Sequence, residues 1–284
     1  DTNGEVIVQA MKNITNRLQQ SDLTINFKGW QWFGTKNTST TYQQMYERGV
    51  HKAPDGSGKL QMTGNAMNNP SQRDAADTRV MFRQGVGTGS TSGIGRFMQT
   101  GGLTQTADGN AYELANQQFN PRTRQSFAAL NWARNASGAA PEYGFSYLIL
   151  HASLKPNAIY YMGDTFGAGI TADNRATYGM LVSLILWARP EILRAMIRAT
   201  WMNADNVYSG LVPAHRLVEA HIFEEIRFAG SVRDMVLNRQ ECNGLWSNWM
   251  LSPEPRGPEP PKADEVIANA QEFCTRNSIK LRVY

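Results

Sequence analysis

Apolar residues recur near the start of the chain at Val6, Met11, Ile14 and Leu18. That is close to the i, i+3, i+4 spacing that gathers side chains on one helix face, so a helix is expected over 5–18. The stretch Leu23 to Phe27, LTINF, alternates strictly and predicts a strand. Residues 35–72 follow neither period and fill with Thr, Asn, Gly and Ser, which reads as loop, apart from a helical piece over 42–48 and a turn at Pro54-Asp55-Gly56. From Thr78 the chain reads TRVMFRQG, a strand running into a stretch with five glycines between Gly85 and Gly95. Further strands are expected over 127–130, 143–151, 158–162 and 217–228. Helical patterning covers 178–202, with Pro190 ending one helix and opening the next. Shorter helices are expected over 231–240 and 263–275. Between the last two lies SPEPRGPEPPK, 252–262, whose five prolines in eleven residues suit an extended strap. Short strands and segregated helices without repeated βαβ units point to an α+β fold. The expected organisation is one domain over 1–251 with an N-terminal helical extension, then the strap and C-terminal helix over 252–284.

One position breaks the pattern. The stretch LVEAHIFEEIRF, 217–228, sets Glu219 among residues suited to burial. A carboxylate turned from water needs a partner or a ligand to offset several kcal/mol of lost solvation. Glu219 therefore faces solvent, as a carboxylate on a strand usually does, or performs chemistry.

Composition narrows the classes. The 284 residues are 41% hydrophobic, enough for a substantial core. The longest apolar run, Met180 to Ala188, falls short of the roughly 18 residues needed to cross a bilayer. The net charge of +4 comes from 28 basic and 24 acidic side chains without Lys/Arg clusters, which gives nucleic-acid binding little support. Cys242 and Cys274 permit one disulfide but form no CxxC pair, and no structural zinc is suggested.

Several phosphate-binding and hydrolase motifs fail on inspection. APDGSGKL has Ala53 and Leu60 where a P-loop needs Gly and Ser/Thr; GVGTGSTSG has Ser90 and Ser92 where a dinucleotide fingerprint needs glycine. GSTSG carries threonine at the nucleophile position of an elbow, and the four histidines include no HExxH.

Six short motifs remain, in order: TRVMFRQG at 78–85, GGLT at 101–104, SFAALN at 126–131, YGFSYLIL at 143–150, YYMGDT at 160–165 and LVEAHI at 217–222. Together, across about residues 23–240, they resemble the bacterial mono-ADP-ribosyltransferase superfamily of the Arg-Ser-Glu type. The motifs resemble most a poorly characterised bacterial family of that superfamily, and secreted effectors that resemble the pattern include ones that modify ubiquitin on threonine. The resemblance implies a split β-sheet core with peripheral helices, NAD as substrate and no metal. It makes Glu219 the catalytic carboxylate and Ser146 the strand serine that orients it. Arg79, or its rival Arg83, would hold the pyrophosphate and Gly85 would let backbone approach the dinucleotide. Tyr143, Gly144 and Phe145 would lie at the nicotinamide. His221 stands where the family tends to carry glutamine, and Thr78 replaces an aromatic residue before Arg79. Leu217 occupies the position where arginine-specific transferases carry a second glutamate, so the resemblance favours a hydroxyl acceptor on a host protein, with ubiquitin one candidate. The implied setting is a bacterial protein, monomeric, secreted into the host cytoplasm.

The chemistry fits these residue types. Breaking the nicotinamide glycosidic bond leaves positive charge on the ribose, which a fixed carboxylate stabilises. A guanidinium matches a pyrophosphate with two parallel bonds. The plainer readings are an ion pair of Arg79 with Asp77 or Asp74, packing for Ser146 and structural roles for His151 and His221. The cluster WQWF at 30–33 is either core or a docking patch, and the latter, with the proline-rich strap, supports a non-catalytic adaptor. An NAD glycohydrolase is the other rival.

Overall fold

A computed structural model describes residues 2–42, 44, 103–105, 111–113, 126–165, 170, 172–222, 224–243 and 262–284. Arg79, Arg83, Gly85, the 85–95 glycine stretch and the proline-rich strap lie outside these residues.

Successive side chains of a strand point to opposite sides, and the two faces of this sheet are unlike. The strands are β1 (Leu23–Phe27), β2 (Leu103–Gln105), β3 (Ala111–Glu113), β4 (Ser126–Leu130), β5 (Ser146–Leu150), β6 (Ala158–Met162), β7 (Arg175–Thr177), β8 (Val218–Ile222), β9 (Val232–Leu237) and β10 (Lys280–Val283). Eight of them join in the order β10-β9-β5-β1-β4-β8-β6-β7, antiparallel except for the parallel β10/β9 pair, while β2 and β3 form a separate hairpin. With its helices this is a mixed α+β architecture. Where a split core was expected, the described strands outside the hairpin make one hydrogen-bonded ladder.

One sheet face is the main core. It carries Leu23, Ile25 and Phe27 of β1, Leu148 and Leu150 of β5, Tyr160 and Met162 of β6, and Val218, Ala220 and Ile222 of β8. Four helices are named here: α1 (Thr2–Gln20), α2 (Gly29–Phe33), α3 (Pro190–Trp201) and α4 (Ala263–Asn277). Each contributes to that core, through Ile14 and Leu18, Trp32 and Phe33, Ile192 and Met196, and Val266 and Phe273 respectively. WQWF is therefore core at Trp32 and Phe33: Trp32 stacks on Phe27 at 4.1 Å, and Phe33 meets Phe273 edge-on at 5.3 Å. Both cysteines are buried free thiols, so the permitted disulfide is not formed, and burial pushes each up to about 12.

Three expectations are corrected. Residues 232–237 form β9 instead of a helix, paired with β5 and β10. The strand that opens at 217 ends at Ile222. Tyr178–Trp187 is a 3₁₀ segment kinked at Met180 (φ −123°, ψ 28°) before α3, whose first residue is Pro190 as the sequence predicts.

The second face carries the alternate residues, many of them polar: Thr24, Asn26, Tyr147, Tyr161, Glu219, His221 and Asp234, all buried. The connection after β4 lies across it. Asn26 Nδ2 donates to the carbonyls of Ser137 and Gly144, and Ala139 N–H donates to Thr24 Oγ1. Gly144, at φ 148°, abuts β1 so closely that a Cβ would sit 2.0 Å from the Phe27 carbonyl oxygen, so only glycine fits.

Candidate functional site

Glu219 and His221 are two residues apart on β8, and a strand's period of two puts both side chains on the polar face. Glu219 is opposite Ala129 on one neighbour and Tyr161 on the other; His221 is opposite Phe127 and Ile159. The carboxylate is 7% exposed and held by three donors. Thr165 N–H donates to Oε2 at 2.9 Å, Thr165 Oγ1–H to Oε1 at 2.7 Å, and His221 Nε2 to Oε1 at 2.8 Å. A carboxylate offers about four lone-pair sites, so among the described residues both sites on Oε1 are filled and one on Oε2 remains. Burial pushes this carboxyl up, but the bond to His221, the charge of His221 and the two Thr165 bonds lower it by more, which leaves it below the usual carboxylate range.

Thr165 reaches Glu219 because the chain turns sharply after β6. Gly163 takes φ 115°, a conformation that favours glycine, and its N–H donates to the Leu217 carbonyl at 2.7 Å. Asp164 N–H then donates to the Ala214 carbonyl at 2.7 Å. This Gly-Asp-Thr turn runs alongside the start of β8 and lays Thr165 over the carboxylate.

Tyr143 arrives from the other side, on the 3₁₀ turn Pro141–Tyr143. Its hydroxyl donates to Asp164 Oδ2 at 2.7 Å. Burial first, then the charges of Asp164 and Glu219, push the phenol well above its ordinary range, so it remains a protonated donor. Behind it, Arg216 Nη2 donates to Glu142 Oε2 at 2.9 Å, tying the turn that bears Tyr143 to the start of β8. The Arg216 guanidinium also lies over the Tyr208 ring at 4.4 Å. Burial raises the Glu142 carboxyl even against the charge of Arg216.

Ser146 is not part of this constellation. It sits in phase with Leu148 and Leu150 on the opposite face, and β5 is separated from β8 by β1 and β4. At a strand spacing of about 4.8 Å that is roughly 14 Å. Its hydroxyl donates to Glu241 Oε2 and accepts from Asn238 N–H at 3.1 Å. Glu241 is wholly buried and also accepts the N–H groups of Gly29, Phe145 and Ser146. Burial raises this carboxyl despite those donors. Phe145 belongs to the same knot and accepts from the Tyr284 hydroxyl at 2.9 Å. Of the expected set, Tyr143 joins the Glu219 site through Asp164, Gly144 lets the turn before β5 pack against β1, and Ser146 and Phe145 serve the Glu241 knot.

The sequence reading passed over three residues. Thr165 lies inside YYMGDT, but its reach depends on the Gly163 turn. Asp164 needs the same turn. Arg175 is paired with Tyr161, which is itself paired with Glu219, so Arg175, Tyr161 and Glu219 form one cross-strand row on the polar face. Its three-residue strand is too short for a periodic signal. Among the described residues no cluster of His, Cys, Asp and Glu could hold a metal ion. No helix among them is long and apolar enough to cross a membrane. No protein-family model and no curated protein matches the chain.

Proposed function

We propose that the chain is a mono-ADP-ribosyltransferase that cleaves the nicotinamide glycosidic bond of NAD at Glu219 and passes ADP-ribose to a hydroxyl of a host protein. The observation that carries this reading is the carboxylate itself: 7% exposed, fixed by three donors and, among the described residues, left with one acceptor site on Oε2. A group so held suits cation stabilisation, because its charge needs no reorganisation as the ribose becomes positive. Oε2 would accept a ribose hydroxyl and then the acceptor's proton. The acceptor oxygen forms its bond to the anomeric carbon, the bond to the nicotinamide nitrogen breaks, and nicotinamide leaves with that electron pair.

Two further features support the assignment. Arg175 lies two strands from Glu219 in the same row, roughly 10 Å away between backbones, a span that suits a phosphate linked to the ribose. Arg79 and Arg83 remain the candidates from the motif. Among the described residues no second carboxylate stands beside Glu219 toward the end of β8: Glu224 accepts from Asn157, and Glu225 pairs with exposed Arg227. With Leu217 buried, a hydroxyl acceptor suits the site better than a guanidinium. Threonine of ubiquitin is the first acceptor to test, in keeping with a bacterial protein secreted into a host cell. The adaptor alternative loses its docking patch, since Trp32 and Phe33 are core.

The test is incubation with tagged NAD and a eukaryotic lysate beside Glu219→Gln. Labelled protein with the wild type and none with the variant is expected. Free ADP-ribose without labelled protein makes the chain a glycohydrolase, and no NAD consumption at all overturns the reading.

A further inference from the structure

We infer that the outer side of the helical layer covering the main core is a docking surface for an anionic lipid bilayer, on which the chain lies without crossing it. This goes beyond the transferase reading and does not depend on it. Three elements build the layer: α1, the 3₁₀ segment Tyr178–Trp187 and α3. α1 packs against both of the others. All three bury residues in the same core: Ile14 and Leu18 from α1, Leu181 and Leu184 from the 3₁₀ segment, and Ile192 and Met196 from α3. Their outward sides therefore belong to one side of the sheet.

Eleven large apolar side chains are exposed among the described residues, and eight of them are on this layer. α1 contributes Val6, Ile7 and Val8, and the 3₁₀ segment Met180, Leu186 and Trp187. Trp201 and Met202 stand where α3 ends; Leu186 and Met202, at 77% and 72%, are the most exposed of the eleven. Single apolar side chains are ordinary on a surface, but their concentration on one side marks an interaction site. The same layer carries four exposed cations, Lys12, Arg189, Arg194 and Arg198, against the carboxylates of Glu5 and Glu191. At 3.6 residues per turn Arg194, Arg198 and Trp201 share the face of α3 opposite its buried Ile192, Met196 and Ala199. Between α1 and the 3₁₀ segment, a groove of about 480 Å³ sets Val8, Met11 and Val182 beside Lys12, Thr15 and Asn16.

This mixture selects the partner. A nucleic acid would satisfy the arginines but leave Leu186 and Met202 in water. A second copy docked through this face about a two-fold axis would set the arginines against their own equivalents. An anionic bilayer answers both groups. Tryptophan settles at the headgroup level, aliphatic side chains enter the acyl boundary, and guanidinium groups pair with lipid phosphates.

The test is flotation of the full chain with phosphatidylcholine vesicles, with and without about 30% phosphatidylserine. Binding is expected to be at least about tenfold tighter to the anionic vesicles and to weaken as salt is raised. Arg194→Gln combined with Arg198→Gln should weaken it about thirtyfold, and Trp201→Ala combined with Met202→Ala at least about tenfold. Arg227 and Arg239 are exposed outside the layer. Replacing both with Gln removes the same net charge and should leave binding within about threefold. All six positions are on the surface, so thermal melts should match the wild type. No binding to anionic vesicles overturns the inference, as does equal binding to neutral ones. An equal loss in the Arg227 and Arg239 variant would reduce the effect to overall charge and overturn it too. Undiminished binding after loss of Trp201 and Met202 would point to a polyanion without an apolar phase, again against a bilayer. Self-association in analytical ultracentrifugation that Trp201→Ala abolishes would assign the face to a second copy instead.

Discussion

A buried carboxylate is stable only if its donors match its lone pairs, and Glu219 meets that condition with Thr165 and His221. Glu219→Gln puts an amide N–H where the Thr165 backbone donates, leaving two donors facing each other. Its expected effects are a fall in kcat of about 100- to 1000-fold and a stability loss of about 1–3 kcal/mol at neutral pH. The pH dependence follows from the lowered folded-state value. Stabilisation by Glu219 is fully present above the ordinary carboxylate range and disappears as pH falls through the lower folded value. Urea midpoints of wild type and variant should therefore converge as the pH is brought down through that range. Ser146→Ala should behave differently, losing about 1 kcal/mol of stability with turnover within about threefold of wild type. A large loss of turnover with stability unchanged would return Ser146 to the site. Glu219 was legible because a carboxylate in an alternating strand is an anomaly. The misplacement of Ser146 came from YGFSYLIL, where Tyr147 and Ile149 suit burial much as Leu148 and Leu150 do, so alternation did not reveal which phase was the polar face.

At the scale of elements, the site depends on two turns that bring unlike strands together. The Glu241 knot fixes one of them by accepting three backbone N–H groups from α2's start and β5's approach. Glu241→Ala strands these buried donors and should destabilise the protein by at least about 3 kcal/mol, measured by urea unfolding. The edge strand β7 sets Arg175 in the row of Glu219. On the dinucleotide reading, Arg175→Gln should raise KM for NAD about tenfold while kcat changes little; unchanged KM would move the phosphate elsewhere. The strand over 23–27 was legible because its alternation is clean, and that over 158–162, AIYYM, because it is a short run of Ile and Tyr, residues that favour strands. The residues of β9, VRDMVL, place Val232, Met235 and Val236 at helical spacing, so the local pattern pointed to helix. Pairing on both sides, with β5 and with β10, supplies the hydrogen bonds that override it. The four residues of β10 carry too little pattern to be read alone.

Across the whole molecule, the terminal elements are part of the main core. Phe273 of α4 meets Phe33 at 5.3 Å and Phe228 at 4.8 Å, and β10 extends the sheet beside β9. Phe273→Ala should cost about 3–5 kcal/mol and lower the midpoint of a single unfolding transition; a separate early transition of the C-terminal helix would contradict this coupling. The α+β class followed from the order of strand and helix patterns, whereas contact between α4 and α2, more than two hundred residues apart, has no local signature. The burial of both thiols has a practical consequence for measurement. With Cys242 and Cys274 pushed up to about 12, about one thiol in ten thousand is ionised at pH 8, and these are the only two cysteines in the sequence. A cysteine introduced at exposed Glu225 should take a maleimide dye rapidly while the native pair stays unlabelled, as intact-mass spectrometry would verify. The Glu225→Cys chain would then serve directly as a fluorescence reporter of acceptor docking, with Cys242 and Cys274 left in place.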